Sequence, residues 1–238
     1  MTIAAVLFDV DGVLLDSTAA HRRVWNSWSV MRGLDPGVVW QLTFGRRPED
    51  TVRDVAPHLD PSAERRVLDR LLAQEENGFP PVEGAAALLA TLPGEKWAIV
   101  TSGDLESVHQ RFVAAGLPLP DVQVFAADVE QAKPAPDCFL LAASRLGVDP
   151  HRCLVVEDAP AGVRAGKAAG CTVVGLTTTH SEGALHEADL CVSTLKDVGK
   201  LLAEHGLVVE DPPATDRSGL LARPAGRRGG DPSPSCPG

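Results

Sequence analysis

Two pairs of acids carry the chemistry open to this sequence. The stretch TIAAVLFDVDGVLLDS, residues 2–17, ends an apolar run in Asp9 and Asp11, one residue apart, with glycine next. A buried strand gains nothing by finishing so, whereas two carboxylates facing one cleft repel unless they share a proton or a cation. Farther along, Glu157 and Asp158 close the apolar run CLVV. Acids capping a helix that starts near Pro160 are ordinary. Two acid sites at strand ends, however, suit a hard divalent cation such as Mg2+, which takes oxygen ligands from carboxylates, carbonyls, water and phosphate. Between the pairs lie Thr101, Ser102 and Gly103, a hydroxyl and turn amides at the head of a helix, which make an anion seat. Then comes Lys133 in AKPAPD, where proline fixes the backbone before the next helix and a lysine at its mouth can neutralise a phosphate. Each feature alone is also common turn, cap or surface chemistry. Their order, each immediately after a strand, is far less common.

The elements that must position these groups follow from the apolar pattern. Ile3 to Phe8 predicts a first strand, apolar without alternation and so buried on both faces, as in a parallel sheet. Runs at 97–100, 122–125, 153–156, 172–176 and 190–192 predict five more. Helical patterns over Ser107–Ala115, Pro136–Leu146 and Ala161–Ala169 are each followed by a glycine in the place of a C-terminal cap. The alternation predicts an α/β fold with crossover connections. Residues 17–82 break the rhythm. They are almost wholly helical in pattern, PSAERRVLDRLLAQEENG at 61–78 included, and far exceed a crossover in length. The economical organisation is a core of residues 1–16 and 83–209 with a helical cap, 17–82, inserted directly after the two aspartates. Its hinges would run through Gly12–Ser17 and 78–86. Ligands in such sheets bind beyond the carboxyl ends of the strands, where the cap would overhang. The tail, 210–238, is rich in proline and glycine with little to bury and is expected to be mobile.

Composition narrows the partners. The chain of 238 residues carries a net charge of −10 and no Lys/Arg cluster of the size a duplex binder needs, which argues against nucleic acid. A small anionic substrate is compatible with that acidity, because local charge in a cleft decides its binding. The five cysteines, at 138, 153, 171, 191 and 236, form no CxxC and are odd in number. That pattern points to a reducing compartment, the cytoplasm, with several of them as small core residues. No apolar run approaches the length that spans a bilayer, and acids interrupt the N-terminal run where a secretion signal would stay apolar.

DVDGVLLDS, TSG, AKPAPD and VVEDAPAGVRAGKAAGC, in that order, resemble the haloacid dehalogenase superfamily of phosphotransferases over about residues 3–205. The likeness is greatest to the capped branch that contains β-phosphoglucomutase and the small sugar- and polyol-phosphate phosphatases. EKWAIVTSG, EDAPAGVRAGKAAGC and FGRRPEDTV are most similar to the glycerol-phosphate and 2-deoxyglucose-6-phosphate phosphatases. The resemblance implies a Rossmann-like core with a helical cap and a small phosphorylated metabolite as partner. Monomer and weak dimer are equally compatible with it. It also implies Asp9 as nucleophile and Asp11 as general acid and base. Mg2+ would be held by the Asp9 carboxylate, the Asp11 carbonyl and Asp158, with Glu157 ligating or orienting. Thr101 and the amides of Ser102 and Gly103 would receive phosphoryl oxygens, and Lys133 would bridge Asp9 and the phosphate. Dehalogenases of the superfamily lack the second acid of DxD, so Asp11 favours phosphate over halide chemistry. A phosphonate hydrolase would need a cap lysine, and residues 17–82 contain none.

Hydrolase or mutase turns on the cap. His21 resembles the mutase's cap-hinge histidine, though it also fits the hydrophilic face of the helix AAHRRVWNSW. The mutase's phosphate-gripping arginine would fall at Pro48, while Arg47 matches the phosphatase version of the segment and is the cap's candidate substrate contact. Hydrolysis therefore leads, with a hexose-phosphate mutase as its alternative. A catalytically idle binding protein would be expected to lack one of the acids, and none is missing. Trp25, Trp28 and Trp40 could line the cap toward a sugar, although aromatics at such spacings are more often core. His180, in TTTH, stands near the same edge without an assignable role.

Overall fold

The computed structural model describes residues 2–75 and 78–207; the tail expected to be mobile, at 210–238, lies outside them. Among the described residues, six strands form one wholly parallel sheet: β1 (Ala5–Phe8), β2 (Trp97–Val100), β3 (Val122–Val124), β4 (Cys153–Glu157), β5 (Thr172–Leu176) and β6 (Leu190–Val192). Their order across the sheet is β3-β2-β1-β4-β5-β6. The chain winds outward one way from β1 and then resumes on its other side with β4. The crevice at the carboxyl ends of β1 and β4 is thus the topological switch point, the usual ligand site of such sheets.

The unbroken apolar runs have a plain cause, since both faces of the sheet are covered. Val6, Phe8, Trp97, Ile99, Leu154 and Val156 pack on one side with α5 (Ala85–Ala90), α6 (Leu105–Ala115) and α9 (Leu195–Glu204). Ala5, Leu7, Ala98, Val100, Cys153 and Val155 pack on the other with α7 (Asp137–Leu146) and α8 (Pro160–Ala168). Cys138, Cys153 and Cys171 are buried there as free thiols. α6 and α7 stop at Gly116 and Gly147, both left-handed, as their sequence positions require.

Four helices make the insert: α1 (Thr18–Met31), α2 (Pro36–Trp40), α3 (Pro48–Val55) and α4 (Pro61–Leu72). Asp35 and Asp60 cap α2 and α4 ahead of a proline in the first turn, a strong start signal. α4 ends at Leu72, short of the helical reading to 78, because Ala73, Gln74 and Glu75 offer no large apolar face to hold the helix down; residues 76 and 77 of that reading lie outside the described residues. The insert has its own core, in which Trp28 is fully buried among Val24, Trp25, Val39, Val52, Ala56 and Leu68. The Trp28 indole donates to Glu64 at 2.7 Å, and Arg32 pairs with the same carboxylate. The two hinge passes lie side by side, with the Asp16 amide donating to Pro80 and the Val82 amide to Leu14, so the cap leaves and rejoins the core at one point.

Candidate active site

Register brings the two acid pairs together. Phe8 is aligned with Val156, and the Asp9 amide donates to the Val156 carbonyl, which sets Asp9 beside Glu157 at the switch point. β2 flanks β1 on the other side and delivers Thr101, buried at its end with its amide bonded to Val124. Lys133 reaches in from the loop before α7. Its ammonium donates to Asp9 Oδ1 at 2.6 Å, Glu157 Oε1 at 2.7 Å and the Val100 carbonyl at 3.1 Å. All three donor positions of the ammonium are thereby used, so Lys133 is fixed rather than free to swing.

Two glycines keep room for this arrangement. A Cβ on Gly162, in the first turn of α8, would stand 1.7 Å from Glu157 Oε1. Only glycine there lets the Glu157 carboxylate fold back, where its other oxygen accepts from the amides of Asp158 and Ala159. Gly12 has φ +83, and a Cβ on it would lie 2.2 Å from Asp158 Oδ2.

The electrostatics describe a site short of positive charge. Burial pushes the Asp9 carboxyl up to about 7, against the pull of Lys133. Burial, with Glu157 and Asp9 beside it, also lifts Asp158 well above the usual carboxylate range. Burial opposes charge on Lys133, but Asp9 and Glu157 outweigh it and raise its pKa. One oxygen each from Asp9, Glu157 and Asp158 lies within 4.8 Å of the others. Three carboxylates against one lysine leave a deficit that a divalent cation balances, and an all-oxygen donor set suits a hard ion. Asp11 differs from its neighbours: burial opposes its ionisation, but Arg111 and His21 prevail and hold its carboxyl low.

These groups open on a cavity of about 130 Å3 whose floor includes Asp9, Asp11, Thr101, Ser102, Gly103 and Asp158. The cap supplies the roof, including His21, Trp25, Trp40, Phe44 and Arg65. His21 Nε2 stands 4.0 Å from Asp11 Oδ1, and burial lowers its pKa. Ser102 and Gly103 serve local bonds: the Ser102 hydroxyl donates to the cap carbonyl of Gly45 at 3.2 Å, and the Gly103 amide to Thr101 Oγ1 at 3.0 Å.

Arg47 stands elsewhere. Its guanidinium donates to the core carbonyls of Val129, at 2.6 Å, and Glu130, at 3.2 Å, and it does not line the cavity. The expected substrate contact is instead a strut between cap and core, since its position at the start of α3 points it at the loop after β3 rather than inward. Arg65 makes a second tie, pairing with Asp104 at 3.0 Å. The tryptophans divide. Trp28 is core, while Trp25 and Trp40 border the cavity.

Three contributors were not legible beforehand. Arg111 of α6 donates to Asp11 at 2.7 Å. Thr178 and Thr179, in the loop after β5, brace the acid loops: Thr178 donates to the Gly12 carbonyl at 2.6 Å, and the Thr179 hydroxyl donates to the Asp158 carboxylate with the Asp158 carbonyl 3.0 Å from its oxygen. The threonine run TTTH at a strand end was a usable signal for the last two, and the His180 ring beside them faces Phe44 and the Asp158 carbonyl. An arginine on an amphipathic helix gives no such signal.

Fold and site together define a class: a doubly wound α/β protein with a carboxylate–lysine cluster at its switch point, roofed by an inserted helical cap. The chain belongs to the haloacid dehalogenase-like hydrolase family, which it matches over residues 3–170. Hexitol phosphatase A of Escherichia coli (strain K12) is 39% identical over 214 residues, covering 88% of this chain and 99% of that protein. Glycerol-1-phosphate phosphohydrolase 2 of Saccharomyces cerevisiae is 36% identical over 194 residues, 75% of this chain and 76% of that one. Among solved structures, a HAD family hydrolase from Deinococcus radiodurans R1, with bound phosphate and sodium, is similar at a TM-score of 0.68 and 30% identity, over 87% of this chain and 98% of that one. Among the described residues, no helix is long and apolar enough to cross a membrane.

Proposed function

We propose that the chain is a phosphomonoester hydrolase for small sugar or polyol phosphates, working through an aspartyl-phosphate on Asp9. One observation carries this reading: Asp9, Asp11, Thr101 and Asp158 line a single cavity while Lys133 bonds Asp9 from behind. The hexitol and glycerol phosphatases among its relatives support the substrate class.

An Asp9 oxygen attacks phosphorus as the bond to the ester oxygen breaks and its electron pair leaves with that oxygen. Asp11 gives the departing alkoxide a proton. It then takes one from the water that attacks phosphorus and releases Asp9, so a single carboxyl alternates acid and base. Lys133 offsets the negative charge of nucleophile and phosphoryl group, and the Thr101 hydroxyl with the Ser102 amide receives the phosphoryl oxygens, the Gly103 amide being given to Thr101 Oγ1. Asp9, Asp158 and the Asp11 carbonyl would hold Mg2+. When bound, the ion supplies further neutralisation of phosphoryl charge. Glu157 acts as the orienting member of the set, its oxygens being given to Lys133 and to the amides of Asp158 and Ala159. The cap keeps bulk water out during transfer.

The mutase alternative needs a second cationic clamp for a bisphosphate. The arginines lining the cavity are already paired: Arg46 with Asp54, Arg65 with Asp69 and Asp104, Arg111 with Asp11. A monophosphate with an uncharged remainder fits such a cavity better.

Phosphate release from hexitol, glycerol, pentose and hexose phosphates and 2-deoxyglucose 6-phosphate, ranked by kcat/KM, tests the substrate class. Activity should vanish on chelation, return with Mg2+, and be absent in Asp9→Asn, which keeps the side-chain volume. Turnover surviving in that variant would sink the chemistry. Incubation with β-glucose 1-phosphate and a trace of bisphosphate distinguishes the mutase, which would isomerise sugar phosphate without releasing phosphate.

A further inference from the structure

Arg111 is a buried arginine that the mechanism above does not use. It sits on α6, 7% exposed, with its Nε donating to the Ser107 carbonyl of its own helix at 3.2 Å. That bond steadies the long side chain, and Nη1 then meets Asp11 Oδ1 at 2.7 Å. The guanidinium carbon lies 5.0 Å from the centre of the Phe79 ring, a cation–π contact with the return hinge of the cap. The His21 ring meets the other side of the same arrangement, edge to Phe79 at 6.0 Å and 4.0 Å from the same Asp11 oxygen. Asp11 and the return hinge thus meet the guanidinium of α6, and His21 of the first cap helix approaches both of them.

The pairing is selective between the two carboxylate oxygens. Oδ1 is engaged by Arg111 and approached by His21, so proton exchange with a substrate falls to Oδ2. A carboxyl that must hand a proton to an alkoxide and then receive one from water has to keep a fixed direction through both steps. A planar guanidinium bonded at Nε and Nη1 holds direction in a way a single ammonium does not.

We infer that Arg111 is a positioning residue for Asp11: it turns one carboxylate oxygen to the substrate and ties that orientation to the hinge through Phe79. The inference rests on the phosphatase reading with Asp11 as acid and base. It gives a signature that general damage to the fold does not. A poor leaving group such as the alkoxide of glycerol phosphate needs the proton from Asp11, whereas p-nitrophenolate departs without one.

The test compares wild type, Arg111→Met and Arg111→Lys in Mg2+ on glycerol 1-phosphate and p-nitrophenyl phosphate. In Arg111→Met, kcat on glycerol phosphate should fall about 10–100-fold with KM changed by no more than about threefold. In stopped flow, the first equivalent of p-nitrophenolate should still leave at a rate within about threefold of wild type, followed by slow turnover as water attack suffers. Arg111→Lys keeps the charge without the two-point hold and should show the same split, which preserves the test if the methionine variant does not fold. Equal loss in the first turnover of both substrates, a rise in KM without loss of kcat, or no loss at all would overturn the inference. Wild type that releases phosphate from neither substrate, alike with Asp9→Asn, would instead remove the phosphatase reading beneath it.

Discussion

The strand-edge site and the cap are built in different ways. At the strand ends, Asp9, Thr101, Glu157 and Asp158 are all buried, and the backbone of the sheet fixes where each begins, while Lys133, also buried, joins them from the loop before α7. The bonds joining them run between distant parts of the chain: Lys133 bonds to Asp9 and to Glu157, which stand at the ends of neighbouring strands. The cap instead rests on a small apolar cluster around Trp28 and meets the core mainly through Arg47, Arg65 and the Ser102–Gly45 contact. Of these only Arg65–Asp104 is an ion pair, and each tie rests on a single side chain. The contrast teaches a division of labour. The cluster of acids and Lys133 sits where geometry is imposed by a parallel sheet, while the cap that roofs it is tied to the core by a few side chains.

That division can be broken at its strongest point first. Lys133→Met removes the one cation among three buried acids and should cost about 3–5 kcal/mol of stability, measured by urea unfolding, besides eliminating turnover. Gly162→Ala adds a single methyl, but one that must displace the Glu157 carboxylate. About 3 kcal/mol and a large loss of kcat are expected, with KM little affected; unchanged kcat would mean that Glu157 does not organise the site.

Effects in the cap should be smaller and should spare the chemistry. Burial opposes ionisation of Glu64, but the bonds from Arg32 and Trp28 outweigh it and hold its carboxyl below the usual range. A depressed folded value gives stability that is complete above the unfolded pKa of about 4.3 and is lost as pH falls through the folded value. Glu64→Gln should therefore cost about 2 kcal/mol at neutral pH and flatten the acid limb of the unfolding curve. Tryptophan fluorescence reports this well, because Trp25, Trp28 and Trp40 are all in the insert and only Trp97 is in the core. Smallest of all, Arg47→Ala should cost about 1 kcal/mol or less and alter KM more than kcat, as expected of a strut that biases the cap toward closure. A kcat loss as large as that of Gly162→Ala would erase the distinction between the two regions.

Legibility in the sequence followed the same line. Strand ends were readable because a parallel strand buried on both faces is an unbroken apolar run, so the first polar residue after it marks the edge: Asp9, Thr101 and Glu157 were each found this way. The insert was readable from its length and its helical pattern. Arg47 was not, because a residue at a helix start has its direction set by how that helix sits on the core, and α3 turns it toward Val129 and Glu130. Arg111 escaped for the converse reason. Its helix pattern describes it as one more charged residue, and only the packing of α6 against the hinge carries it to Asp11.

What the amino-acid order alone determined was the strand ends and the polar residues they bear, because burial on two faces leaves a one-dimensional trace. Only the tertiary structure decided which arginines border the cavity, which tie the cap to the core and which meets Asp11. Those outcomes depend on the angle at which separate helices meet, a quantity that no spacing along a single chain encodes.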